Sequence, residues 1–134
     1  MELAISGKMC NREAFLHVDK GEGRLKVYVT AWYMGESLLL CIYNENAHLG
    51  AVSVSEFDHA SGRNSVSTIT LLGHKDDYLT REAAYLLGKH TQKPVGVICG
   101  VHVENITREE ISQIMDNTKA AVEEIAARLD SGSG

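Results

Sequence analysis

Hydrophobic residues recur along this chain with two different periods, and the change from one to the other separates a strand-rich front from a helix-rich back. The clearest alternation runs from Arg24 to Tyr33. Leu25, Val27, Val29 and Ala31 fall on one side and Arg24, Lys26, Tyr28 and Thr30 on the other, which predicts a half-buried strand. Met34-Gly35-Glu36-Ser37 reads as a tight hairpin into Leu38–Tyr43, a run apolar on both faces and therefore expected at the centre of a sheet. Further strands are predicted over Leu49–Phe57, Val66–Leu72 and Val95–Val103, with weaker ones over Glu2–Ile5 and Ala14–Asp19. Asp58–Ser65 is predicted as a polar loop. Gly50, Ala51, Ser53 and Ser55 give one strand small side chains, so a helix, a ligand or another subunit can approach it closely.

Two stretches follow the helical period. In Tyr78–Thr91 the residues Leu79, Ala83, Leu86 and Leu87 form one stripe, and Pro94 stops the helix from continuing. The second helix has the sharper start. Thr107-Arg108-Glu109-Glu110 is a capping box, flanked by Ile106 and Ile111 as a hydrophobic staple. Its buried stripe is predicted as Ile111, Ile114, Met115, Thr118, Val122, Ile125 and Leu129. Strands joined mostly by short turns favour an antiparallel meander covered by the two helices. The expected class is α+β, a mainly antiparallel β-sheet of about six strands. Residues 1–129 are read as a single domain, and 130–134 as a flexible tail or linker.

Composition narrows the function classes. The chain has 134 residues, 44% hydrophobic, with 13 basic against 18 acidic side chains and a net charge of −5. No basic cluster is present, which argues against nucleic acid and against an anionic membrane surface. The longest apolar run, Leu38–Tyr43, is too short to cross a bilayer, and Met1–Lys8 does not resemble a signal peptide. Cys10, Cys41 and Cys99 are widely spaced and without a CxxC pair, as expected of reduced thiols in a cytoplasm. Cys41 and Cys99 are expected to be small core residues. Neither GxGxxG nor a Walker-type loop occurs.

The densest chemistry lies in Gly73-His74-Lys75-Asp76-Asp77, between a predicted strand and a predicted helix. Asp76 or Asp77 can serve simply as a helix cap, with Lys75 in water. His48, His74 and His102 stand at predicted strand ends, beside Gly50, Gly73 and Gly100. In an antiparallel sheet one strand's start and its neighbour's end share an edge, so these histidines can meet at one rim. Three chemistries suit such a rim. His48, His74, His102 and Asp76 are metal-ligand types, although their spacing matches no compact zinc motif. A hydrolase is less well supported, since no GxSxG or triad spacing occurs. An anion or cofactor pocket would use Lys75, the histidines and the helix amides for a phosphate. Asp76 and Asp77 oppose a dianion there, so an Asp would accept from ligand N–H or O–H groups, or a bridging divalent cation would balance the charges.

Three segments carry a family resemblance: Asn46 to Ser55 (NAHLGAVSVS), Leu72 to Asp77 (LGHKDD) and Val97 to Ile111 (VICGVHVENITREEI). Together they resemble the LpdD-like family of prenylated-flavin chaperones, over roughly residues 40 to 128. The resemblance implies a proteasome-assembly-chaperone-like fold, a homodimer, and a non-enzymatic role. It also implies binding of reduced prenylated FMN and its delivery to an apo UbiD-type decarboxylase. The family's segments fall on His48, Gly50, Gly73, His74, Lys75, Asp76, Asp77, His102 and Asn105. On that reading Lys75 pairs with phosphate, a histidine bonds phosphate or flavin oxygens, and Asp76 accepts from ribityl hydroxyls or a flavin N–H. Trp32 or one of Tyr28, Tyr33, Tyr43, Tyr78 and Tyr85 would stack on the ring. Two other classes stay open: an assembly chaperone that binds only protein, and a metal-dependent enzyme.

Overall fold

The computed structural model describes residues 16–71 and 76–131. The Glu2–Ile5 strand, Cys10, Gly73, His74 and Lys75 therefore lie outside the described residues. In order, the elements are β1 (Leu16–Lys20), a 3-10 turn (Gly23–Leu25), β2 (Val27–Met34), β3 (Ser37–Tyr43), β4 (Ala51–Asp58) and β5 (Arg63–Thr70). Then come α1 (Asp76–Thr91), β6 (Val95–Gly100) and α2 (Arg108–Asp130). The class is α+β, as expected.

One six-stranded sheet has the order β1-β2-β3-β6-β4-β5. Every pairing is antiparallel except β3 with β6, where Leu38 faces Val95 and Tyr43 faces Gly100. The simple meander is thus corrected. β6 is inserted between β3 and β4, so the segment 44–50 must cross the end of β6. The alternating valines of β6 need cover, and the middle of a sheet backed by helices provides it. Both helices lie on one face, α1 over β4, β5 and β6 and α2 over β1 and β2. Val27, Val29, Leu38, Leu40, Ile42, Val95, Val97 and Cys99 fill the space beneath them.

The small side chains of β4 receive α1. Ser53 Oγ is 2.8 Å from Thr80 Oγ1 and 2.7 Å from Thr68 Oγ1, tying the helix's first turn to β4 and β5. A Cβ on Gly88 would lie 2.5 Å from Ser55 Oγ. Of the occupants that the sequence allowed, a helix is the one present.

Several boundaries move for identifiable reasons. The predicted Arg24–Tyr33 strand begins instead as the 3-10 turn, because Arg24 is drawn to Glu110 at 2.6 Å and to the Glu104 carbonyl at 2.8 Å. The polar loop over 58–65 shrinks to a turn, since Asp58 bonds Ser61 Oγ and the Ala60 amide and lets the strands run on to Asp58 and from Arg63. β6 ends at Gly100 rather than Val103, because a Cβ there would lie 2.1 Å from the carbonyl oxygen of His48. The crossing segment occupies the space in which the strand would have continued.

Candidate functional site

The strand directions bring the start of β4, the ends of β3, β5 and β6 and the first turn of α1 to one edge. Ala51 pairs with Thr70 and with Cys99, and Tyr43 pairs with Gly100. At this edge the His48 and His102 rings meet, their centroids 5.2 Å apart and their planes inclined at 45°. Both histidines are brought to the rim that the sequence suggested.

Asn44, which the sequence offered only as a break after a strand, fixes His102. Its Nδ2 donates to the His102 carbonyl at 2.7 Å and its Oδ1 accepts from the His102 amide at 3.2 Å. The His102 ring then reaches Glu104, Nε2 to Oε2 at 3.0 Å. A buried amide that holds another residue's backbone leaves no periodic signature, so Asn44 could not be found from sequence.

Asp76 is the first residue of α1 and is 5% exposed. Rather than lying outward, its Oδ1 faces the end of β6, accepting from the Cys99 thiol at 3.4 Å and the Val101 amide at 3.3 Å. Gly50 makes that position available, because a Cβ on it would lie 1.9 Å from Asp76 Oδ2. Burial, and then the neighbouring carboxylate, push the Cys99 thiol far above the usual thiol range. Cys99 is thus a protonated donor beneath Asp76. Cys41, half-buried on the opposite face, is also raised by burial.

Asp77 is partly exposed and lies 3.6 Å from Arg81 one turn on. Asn105 is exposed at φ 51°, in the turn between β6 and α2. That left-handed backbone suits Asn, and the residue lies outside the cavity described next. Its place in the motif is explained by the turn.

A cavity of about 560 Å³ opens between the start of α1, the segment after β6 and the first turns of α2. Asp76, Asp77 and His102 contribute its polar groups, and Val101, Val103, Ile106, Ile111, Ile114 and Leu79 most of its wall. Its size lies in the range of about 300–1,000 Å³ that small-molecule sites occupy. Of the aromatic candidates, Tyr78 lines it, whereas Tyr28 and Tyr43 stack on each other, centroids 5.4 Å apart, on the sheet. The hydrophobic walls were read from sequence only as helix stripe and strand. Among the described residues no three of His, Cys, Asp and Glu are close enough together to hold a metal. No helix among them is long and apolar enough to cross a membrane.

Comparison with known proteins gives two findings. A crystal structure of a chaperone complex for yeast 20S proteasome assembly contains a similar fold, with a TM-score of 0.59 at 16% identity, covering 94% of this chain and 99% of that one. No curated protein matches. The family model for the prenylated flavin chaperone LpdD-like domain matches residues 21–130, which include both helices and all but the first strand of the sheet. The chain belongs to the prenylated flavin chaperone LpdD-like family, a family of chaperones and not of enzymes.

Proposed function

We propose that this chaperone binds reduced prenylated FMN in the cavity at the rim and delivers it to the apo form of a UbiD-type decarboxylase of aromatic acids, acting in the cytoplasm as a homodimer. The observation that carries the proposal is the cavity itself, where a largely aliphatic hollow of about 560 Å³ meets two carboxylates and an imidazole. Such a site can bury a ring system and accept hydrogen bonds from it. Of the family's segments, Asp76, Asp77 and His102 line the cavity, with the His48 ring beside that of His102, and Gly73, His74 and Lys75 precede Asp76 in the chain. Gly50 contributes by leaving room for the Asp76 carboxylate.

A carrier needs affinity without commitment. An enclosed active site holds its ligand on all sides, whereas this cavity opens at the molecular edge and can present its contents to a second protein. The chain would position and shield the cofactor, while the decarboxylation chemistry would belong to the recipient enzyme.

Anaerobic titration with reduced prenylated FMN tests the proposal. Saturable binding is expected, followed by activation of an apo UbiD-type decarboxylase by the loaded protein. Lys75→Ala is expected to weaken binding about tenfold, the scale of one charge-assisted contact, without lowering Tm. Absence of saturable binding would leave a chaperone that works through protein contacts alone.

A further inference from the structure

We infer that the furrow between α1 and α2 docks an amphipathic helix of the recipient enzyme, running antiparallel to both and ending at the mouth of the cavity. This rests on the functional reading above and adds to it the surface, and the kind of partner segment, through which the cofactor is handed over.

The furrow follows from how the two helices lie. Their first turns line the cavity together, and their last turns are joined by His90 and Asp130 at 2.8 Å, so they run in the same direction on one face of the sheet. Between them Leu79, Ala83 and Leu86 of α1 and Met115 and Val122 of α2 line a groove of about 580 Å³. Leu86 and Met115 are only half-buried. Tyr78 and Tyr85 stand along the same groove, 44% and 47% exposed. The apolar lining covers about two turns of each helix, or about 10 Å. A third helix with apolar residues at i, i+3 or i+4, and i+7 presents a stripe of that length. Tyrosines beside such a groove are the side chains that most often anchor a partner.

Charge fixes the direction of the occupant. Glu82 and Lys89 border the groove on α1, and Asp116 and Lys119 border it on α2. Among the described residues these four side chains make no hydrogen bond or ion pair, whereas Arg81, His90 and Arg128 on the same helices each have a carboxylate partner. On both helices the acid precedes the base, so the acids lie toward the cavity and the bases away from it. A helix favours acidic residues in its first turn and basic residues in its last, because these complement its own dipole. Such a helix meets both rows of charge favourably only when its last turn lies at the cavity. The same orientation sets its dipole against those of α1 and α2.

Position links the groove to delivery. Groove and cavity share Tyr78, Leu79 and Met115. A helix seated on the groove therefore stands beside the proposed flavin site without filling it, and brings the recipient to the place where the cofactor leaves.

The test is an anaerobic titration of the intact protein, loaded with reduced prenylated FMN, with an apo UbiD-type decarboxylase. Glu82→Lys combined with Asp116→Lys, and separately Lys89→Glu combined with Lys119→Glu, are each expected to weaken the complex about tenfold at low salt and less at high salt. Flavin affinity is expected to stay at the wild-type value in both. Zero-length carbodiimide coupling of the wild-type complex is expected to join Lys89 and Lys119 to carboxylates at the start of one decarboxylase helix, and Glu82 and Asp116 to lysines at its end. Cross-links in the reverse order overturn the orientation. Wild-type affinity for the decarboxylase in both variants, or cross-links only from other parts of the surface, overturns the docking site while leaving a flavin carrier in place. Failure of the wild-type protein to bind reduced prenylated FMN overturns the functional reading instead, and that result is obtained before any decarboxylase is added.

Discussion

Asp76 shows how much of this site depends on single atoms elsewhere in the chain. The carboxylate reaches β6 only because residue 50 has no side chain, and it finds a thiol there because residue 99 is cysteine. The thiol yields a pH prediction. An unfolded chain releases its cysteine protons at about pH 8.5, whereas folded Cys99 keeps its proton well above that. From there upward the unfolded state binds fewer protons than the folded one, so stability falls as pH rises, by up to about 1.4 kcal/mol per pH unit for one such group. Below that range the two states hold the same proton and the contribution is flat. Urea denaturation at pH 8 and pH 10 is expected to show a shallower loss in Cys99→Ala than in the wild type. Identical losses would mean that the thiol ionises in the folded protein without cost.

Among the elements, α2 has the most completely specified start. Thr107 Oγ1 accepts from the Glu110 amide at 3.1 Å, and Glu110 Oε1 accepts from the Thr107 amide at 3.0 Å. Arg24 adds a two-point bond to the same carboxylate, which holds Glu110 below the usual carboxylate range. The box was legible because its residues are three apart in sequence. The arginine was not, because its partner is 86 positions away. Thr107→Ala is expected to cost about 1 kcal/mol, since the Glu110 amide loses its partner. In thermal unfolding this corresponds to a Tm lower by roughly 4 °C. Little change would indicate that Arg24 alone fixes the helix start. The adjoining cavity wall includes Ile106 and Ile111, so the cap also fixes part of the proposed ligand site.

At the scale of the whole molecule, one face of the sheet has helices on it and the other is left apolar. Thr30, Cys41, Ile98, Val52 and Ile69 form one row across that open face, and Trp32, Leu39, Gly96 and Val54 the next. Ile69 is 72% exposed, Val54 53% and Ile98 45%. Contiguous apolar surface of this kind marks an interaction site. The proposed homodimer would bury it by stacking two sheets, leaving the rim and its cavity open to a recipient enzyme. Ile98→Asp is therefore expected to convert a dimer to a monomer in light scattering, with flavin binding retained. A variant that keeps the wild-type mass would remove the open face from the dimer contact.

Local pattern by itself determined the two helices, the strands and the face of each that is buried, because period and capping depend on neighbours a few residues apart. It also suggested a shared edge for His48 and His102 from the ends of their strands, although the pairing of β6 with β3 and β4 is what puts them there. Only the tertiary structure decided that β6 lies between β3 and β4, that Asp76 turns inward to Cys99, that Asn44 holds His102, and that two helices and a loop enclose a hollow. Each of those joins residues more than twenty positions apart, and what settles them is volume. A missing Cβ at Gly50, Gly88 or Gly100 decides what fits beside it, and no periodicity along the chain records that.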